Sequence, residues 1–141
     1  MKTNGLKKMH KIMCLDVGTK RIGVALSDYL HVIANGECCV DRQPEAKSVE
    51  QIKTIAKQNN VKTIIIGVPV DMDGTHGFQA EDCKNFASNF SEFDIKFEDE
   101  RLTSDLAEEN LREKKINFRK NKGLVDIESA RIILEQYMTK L

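Results

Sequence analysis

The chain has 141 residues, about the size of one domain, and sets 22 Lys+Arg against 22 Asp+Glu for a formal net charge of zero. That balance excludes a global field drawing the protein onto nucleic acid, so any such attraction has to come from local segregation of charge. The cysteines Cys14, Cys38, Cys39 and Cys83 lack zinc-ligand or CxxC spacing and read as reduced thiols of a cytoplasmic protein.

Residues 1–11 are basic and polar, with no apolar stretch long enough for a signal peptide or a membrane span. They are expected to be a flexible basic extension, and Met9 or Met13 is an alternative start. Residues 12–141 are expected to form a single domain, since no linker, repeat or low-complexity tract divides them.

The first predicted strand is the apolar run Ile12-Met13-Cys14-Leu15, which ends on Asp16. Val17-Gly18-Thr19-Lys20-Arg21 follows and leads into a second strand, Ile22 to Asp28. Two such runs joined by a short glycine-containing segment predict a hairpin. Alternation puts Gly23 and Ala25 on one face of the second strand and Ile22, Val24 and Leu26 on the other. One face is therefore small enough for a backbone or a ligand to approach closely.

A third strand is expected between His31 and Val40. Val49, Ile52 and Ala56 then fall at helical spacing, and the continuous run Thr63 to Pro69 predicts a central parallel strand. Gly74 and Gly77 mark a loop, and Cys83, Phe86, Ala87 and Phe90 form the stripe of a second helix. A short strand follows, Ile95 to Glu100. Thr103 or Ser104 is a candidate N-cap for a third helix containing Leu106, Ala107 and Leu111. After a polar, basic segment from Lys114 to Gly123, a last helix beginning near Asp126 carries Ala130, Ile133, Leu134, Tyr137 and Leu141 on one side.

The order βββαβαβαα predicts an α/β fold. Its mixed sheet of three antiparallel and then two parallel strands has helices on both faces. In such sheets ligands bind beyond the carboxyl ends of the strands. Asp16 ends the first strand and Asp99-Glu100-Arg101 ends the fifth, so acids meet at one rim if the first, fourth and fifth strands are neighbours. Asp126 is placed to supply a third. Taken singly, Asp16 reads equally as a turn residue or as a buried charge in need of a cation, and Asp126 as a natural N-cap.

Asp16-Val-Gly-Thr-Lys-Arg-Ile-Gly-Val-Ala-Leu-Ser-Asp28, Gly67-Val-Pro69, Asp99-Glu-Arg-Leu-Thr103 and Lys122-Gly-Leu-Val-Asp126 resemble, in order, the motifs of the YqgF family, also called the RuvX family. Its members are small bacterial proteins with a ribonuclease H-like fold, described as Holliday junction resolvases and as nucleases maturing the 5′ end of precursor 16S ribosomal RNA. The resemblance covers nearly all of the chain from Ile12 onward. One departure is Ser129-Ala130, where the family pattern has paired alanines; another is the basic amino-terminal extension.

The resemblance implies an acidic triad of Asp16, Glu100 and Asp126 that holds Mg²⁺ or Mn²⁺, and a hydrolase acting on phosphodiester bonds. Metal ions roughly 3.5–4 Å apart can activate water and stabilise the leaving oxygen, and hard carboxylate oxygens favour these ions over zinc. Strand alternation alone puts Asp99 with Ile95 and Phe97, and Glu100 with Lys96 and Glu98. It leaves open which acid turns inward, and Asp99 is the second choice as a metal ligand. His10, His31 and His76 share no spacing and read as ordinary surface or core residues.

Candidate nucleic-acid contacts are Lys20 and Arg21 in the first turn, Arg101 after the fifth strand, and Lys114, Lys115, Arg119, Lys120 and Lys122 before the last helix. The basic run reads equally as a solvated loop or as a track for a phosphate backbone, and Arg101 equally as an ion-pair partner. Such groups would follow the shape of structured RNA or branched DNA rather than its sequence. No membrane partner is expected, whereas a homodimer would suit a junction cutter.

Two rival readings remain. One is a catalytically silent RNA-binding assembly factor for the ribosome. The other is a phosphotransferase of the actin and sugar-kinase kind, whose phosphate loop also resembles Asp16-Val-Gly-Thr19 but which needs two such domains.

Overall fold

The computed structural model describes residues 9–69, 78–100, 103–119 and 121–141. Five strands form one sheet in the order β3-β2-β1-β4-β5. β1 (Lys11–Val17), β2 (Arg21–Ser27) and β3 (Ala34–Asp41) are an antiparallel meander. β4 (Val61–Val68) lies parallel beside β1, and β5 (Asp94–Asp99) lies parallel beside β4. Parallel neighbours need crossovers. The one before β4 is α1 (Glu45–Gln58); the one before β5 contains α2 (Phe78–Ala87) and a 3₁₀ turn, Ser88–Phe90. The chain ends with α3 (Thr103–Glu113) and α4 (Gly123–Met138).

The alternating side chains of β1 supply two cores. Met13, Leu15 and Val17 point to one face, where Ile22, Val24 and Leu26 of β2 and Ile64 and Ile66 of β4 join Ile52, Ala56, Phe86 and Phe90. The Phe86 and Phe90 rings meet at 5.5 Å between centroids. Ile12 and Cys14 point to the other face with Ala25 and Ile65, beneath Ala130, Ile133 and Leu134 of α4. The small and bulky faces of β2 thus fall as the sequence predicts, and the small one lies against α4. All four cysteines are free thiols. Among the described residues no helix is long and apolar enough to cross a membrane.

Several boundaries differ from expectation. The third strand starts at Ala34 rather than His31, because His31 has a positive φ of 58° and belongs to the loop closed by the Asp28 carboxylate on the amides of Val32 and Ile33. Glu100 lies one residue beyond β5. Thr103 is the first helical residue of α3 rather than its cap. The last helix starts at Gly123, so Asp126 sits inside its first turn and is not the N-cap; that position belongs to Lys122, which makes no side-chain cap. Leu141 lies beyond the end of α4 and is exposed. The loop expected around Gly74 and Gly77 is outside the described residues.

Candidate active site

Asp16 is the penultimate residue of β1, on the face of Ile12 and Cys14, and its register partner is Gly23 of β2. A Cβ at Gly23 would stand 1.9 Å from the backbone oxygen of Asp126. The first turn of α4 therefore rests directly on the β2 backbone, and only a residue without a side chain permits that approach. On the other side of Asp16, one step beyond the Leu15–Ile66 pair, lies Gly67 of β4. A Cβ there would meet Glu100 Oε2 and Ile133 Cδ1, each at 2.7 Å. Asp16 is thus flanked by two bare positions, one admitting α4 with Asp126 and the other admitting the Glu100 carboxylate.

Glu100 is fixed by its own backbone, whose N–H donates to Val68 O at 3.2 Å. Its carboxyl donates a hydrogen bond to Asp16. Burial raises both acids, Asp16 to about 6 and Glu100 to about 9. The Asp16 charge pushes Glu100 up further, whereas for Asp16 the bond from Glu100 works against burial and Asp126 adds to it. Carboxyls so close share a proton unless a cation neutralises them.

Asp16, Glu100 and Asp126 line one cleft of about 260 Å³ together with Thr19, Gln79 and Asp82. Asp126 Oδ2 is held at 2.7 Å by Arg21 Nε and has the Cys39 thiol 4.0 Å away. Among the described residues no group of three or more His, Cys, Asp or Glu side chains stands in an arrangement that could hold a metal ion as it is. Asp82 is a cleft acid with another task. Its two oxygens each take a hydrogen bond of 3.0 Å from buried Arg42, and this pairing holds the Asp82 carboxyl below its usual range. Arg42 also donates to Gly18 O at 3.0 Å, bracing the β1–β2 turn against α2.

The model of the family RuvX, described as Holliday junction resolvase, matches residues 10–140. The chain belongs to the RuvX family. It is 46% identical over 127 residues to a protein named "putative pre-16S rRNA nuclease" from Crocosphaera subtropica, with 88% of this chain and 89% of that one covered. A protein of the same name from Clostridioides difficile is 38% identical over 131 residues, covering 91% and 93% of the two chains. Among solved structures, the fowlpox virus Holliday junction resolvase superposes with a TM-score of 0.59 at 16% identity over 93% of this chain and 99% of that one. The Thermus thermophilus RuvC–Holliday junction complex gives 0.50 at 11% identity over 93% and 94%. These likenesses show the ribonuclease H-like resolvase fold.

Of the residues that the RuvX motifs single out, Asp16, Glu100 and Asp126 come together in the cleft. Asp99 is exposed, outside that lining, and acts on Glu100 as a neighbouring charge that raises it. Arg21 reaches Asp126, and Arg119 and Lys122 line an adjoining hollow with it. Lys20, Lys114 and Lys115 are exposed and line neither cavity; Arg101 and Lys120 lie outside the described residues. His31 and His10 contact one another through the His31 ring and the His10 carbonyl, away from the acids. Sequence reasoning missed the Arg42–Asp82 brace, whose partners are 40 residues apart, and the spacing role of Gly67.

Proposed function

We propose that this protein is a metal-dependent nuclease in which Asp16, Glu100 and Asp126 hold Mg²⁺ or Mn²⁺ at the C-terminal rim of the sheet. The observation that carries the reading is the convergence of Asp16, Glu100 and Asp126 on one cleft, with the Asp16 and Glu100 carboxyls hydrogen-bonded to each other. Hard carboxylate oxygens with elevated proton affinity fit a hard divalent cation, which would replace the shared proton. When bound, such an ion supplies activation of water and charge stabilisation at the phosphoryl oxygens.

The chain's own groups do the rest. Glu100 and Asp16 fix the position of the negative charge, and the braced β1–β2 turn keeps Asp16 in place. Arg21 orients Asp126 through Oδ2 and stands beside the cleft as a cation for a scissile phosphate. It holds an Asp126 oxygen that would otherwise be open to a metal ion.

The substrate is structured nucleic acid: the 5′ end of precursor 16S rRNA, a Holliday junction, or both. Work on ribosomal RNA precursors would place the protein in the cytoplasm, and paired incisions in a junction would call for a homodimer, read by sedimentation velocity. The Arg21–Asp126 ion pair, which engages one acid of the triad with a side chain of the chain itself, favours a second reading, a catalytically silent RNA-binding assembly factor.

One experiment separates these. A four-way DNA junction and a 5′-extended ribosomal RNA precursor are incubated with native protein and with Asp16→Asn, each with and without Mg²⁺ or Mn²⁺. Cleavage by native protein alone, only with metal, is expected. Equal cleavage by both proteins would remove Asp16 from the chemistry, and binding without cleavage by either would select the silent factor.

A further inference from the structure

Beside the acid cleft, and sharing Asp126 with it, lies a hollow of about 320 Å³ lined by Arg21, Glu108, Phe118, Arg119, Lys122 and Val125. A second hollow of about 470 Å³ continues from it past Phe118, Arg119 and Glu108 to Arg112, Ile116 and Asn117. Phe118 is the aromatic side chain common to both.

The segment carrying Phe118 is a built turn. Ile116 N–H donates to Leu111 O at 2.9 Å, Arg119 N–H to Asn117 Oδ1 at 3.0 Å, Asn121 N–H to Phe118 O at 3.2 Å, and Gly123 N–H to Asn121 Oδ1 at 3.1 Å. The Arg112 guanidinium stands 5.6 Å from the Phe118 ring centroid and is paired with Glu108 at 3.2 Å. The backbone beneath the ring is therefore fixed, and the half-buried ring carries the Arg112 guanidinium over one face.

The lining is cationic along its length: Arg21 and Lys122 stand with Asp126 in the first hollow, Arg112 in the second and Arg119 in both, where a phosphate backbone would be drawn. Glu108, which lines both, is taken up by its pairing with Arg112. A cationic track with an aromatic platform suits single-stranded nucleic acid, because bases stack on such rings whatever their sequence. A base inside a duplex has both faces covered already, so only an unpaired nucleotide can use the platform.

We infer that the two hollows form a subsite for unpaired nucleotides flanking the cut phosphate, with Phe118 as the stacking platform between them. This rests on the nuclease reading only for naming the phosphate that is cut. The substrate class it assigns is a paired stem bearing a single-stranded tail.

The test is binding without divalent metal, so that no cleavage occurs. Full-length native protein, Phe118→Ala and Phe118→Leu are titrated with a labelled hairpin carrying an unpaired tail and with the same hairpin blunt-ended, in RNA and DNA versions. Loss of one stacked base weakens binding roughly 5- to 150-fold. Both variants are expected to lose that much for the tailed hairpins of either sugar, while blunt hairpins change by less than about 2-fold. Because the chain has no tryptophan, Phe118→Trp places one indole at the platform, and its emission should be quenched by tailed but not by blunt hairpins.

Native affinity of Phe118→Leu for the tail, equal losses on blunt ends, or a loss confined to one sugar would overturn the inference. Failure of native protein to cleave, with the Phe118 dependence intact, would defeat the nuclease reading and leave this one standing.

Discussion

Replacing Gly23 by Ala tests how the acids are assembled. The added methyl carbon would lie 1.9 Å from Asp126 O, 2.4 Å from its carbonyl carbon and 3.0 Å from Ile127 N, all backbone atoms of α4. Reaching the 3.4 Å at which ordinary contact begins needs a displacement of about 1.5 Å, and no side-chain rotation can supply it. Overpacking of this kind costs about 1–3 kcal/mol, and a backbone clash belongs at the upper end. For a chain of this size the melting temperature should fall by about 10 °C. Because the element that moves carries Asp126, cleavage should fall by about 100-fold even at temperatures where the protein stays folded.

Gly36→Ala is the control. Its methyl carbon would meet the side-chain Cγ2 of Ile127 at 2.5 Å with the Ile127 backbone oxygen clear at 3.9 Å. That β-branched side chain has little χ1 freedom in a helix, but the clash involves no backbone atom, so a loss at the lower end, about 1 kcal/mol, is expected. Differential scanning calorimetry and a single-turnover cleavage assay read both variants. A Gly23→Ala protein that melts like the native one, or that melts lower yet cuts at the native rate, would refute the claim that this contact sets the Asp16–Asp126 geometry.

Glu100→Gln should lower metal-dependent cleavage by at least about 100-fold while leaving the sheet intact by circular dichroism. Since folding raises Asp16 and Glu100, metal-free protein binds more protons folded than unfolded. The stabilising contribution is complete below the usual carboxylate range and fades as pH rises towards about 9. Melting in EDTA between pH 5 and pH 9 should show that decline, and added Mg²⁺ should reverse it at the alkaline end. Asp82→Asn leaves the Arg42 guanidinium, 6% exposed, short of its bidentate partner. A cost of about 3 kcal/mol is expected in urea denaturation. Arg119→Ala should reduce the salt dependence of RNA binding by a slope of about 1 if that side chain contacts phosphate, read by anisotropy titrations across NaCl concentrations.

Local pattern and tertiary placement divide the site between them. Asp16 was half legible, since a carboxylate ending a wholly apolar run reads equally as a turn residue or as a buried charge in need of a cation, and the approach of a backbone to Gly23 followed from the small face it shares with Ala25. Glu100 was not settled by alternation, since it lies one residue past β5 and its direction comes from the bond to Val68 O and the space over Gly67. The start of the helix carrying Asp126 is not legible in the sequence because its cap, Lys122, offers no side-chain oxygen to announce it. The Arg42–Asp82 pair left no mark in the sequence, since neither residue has a local pattern tying it to the other.

The two sides of the sheet have unequal freedom to change. Behind β1 the filling is large aliphatic and phenyl groups that reach the acidic cleft at Val17 and, through Phe86, at Arg42, whereas in front the strands and α4 meet at backbone distance. Attempts to harden this protein against heat therefore belong on the rear side away from Val17 and Phe86, where interior volumes can be redistributed without disturbing phosphodiester hydrolysis.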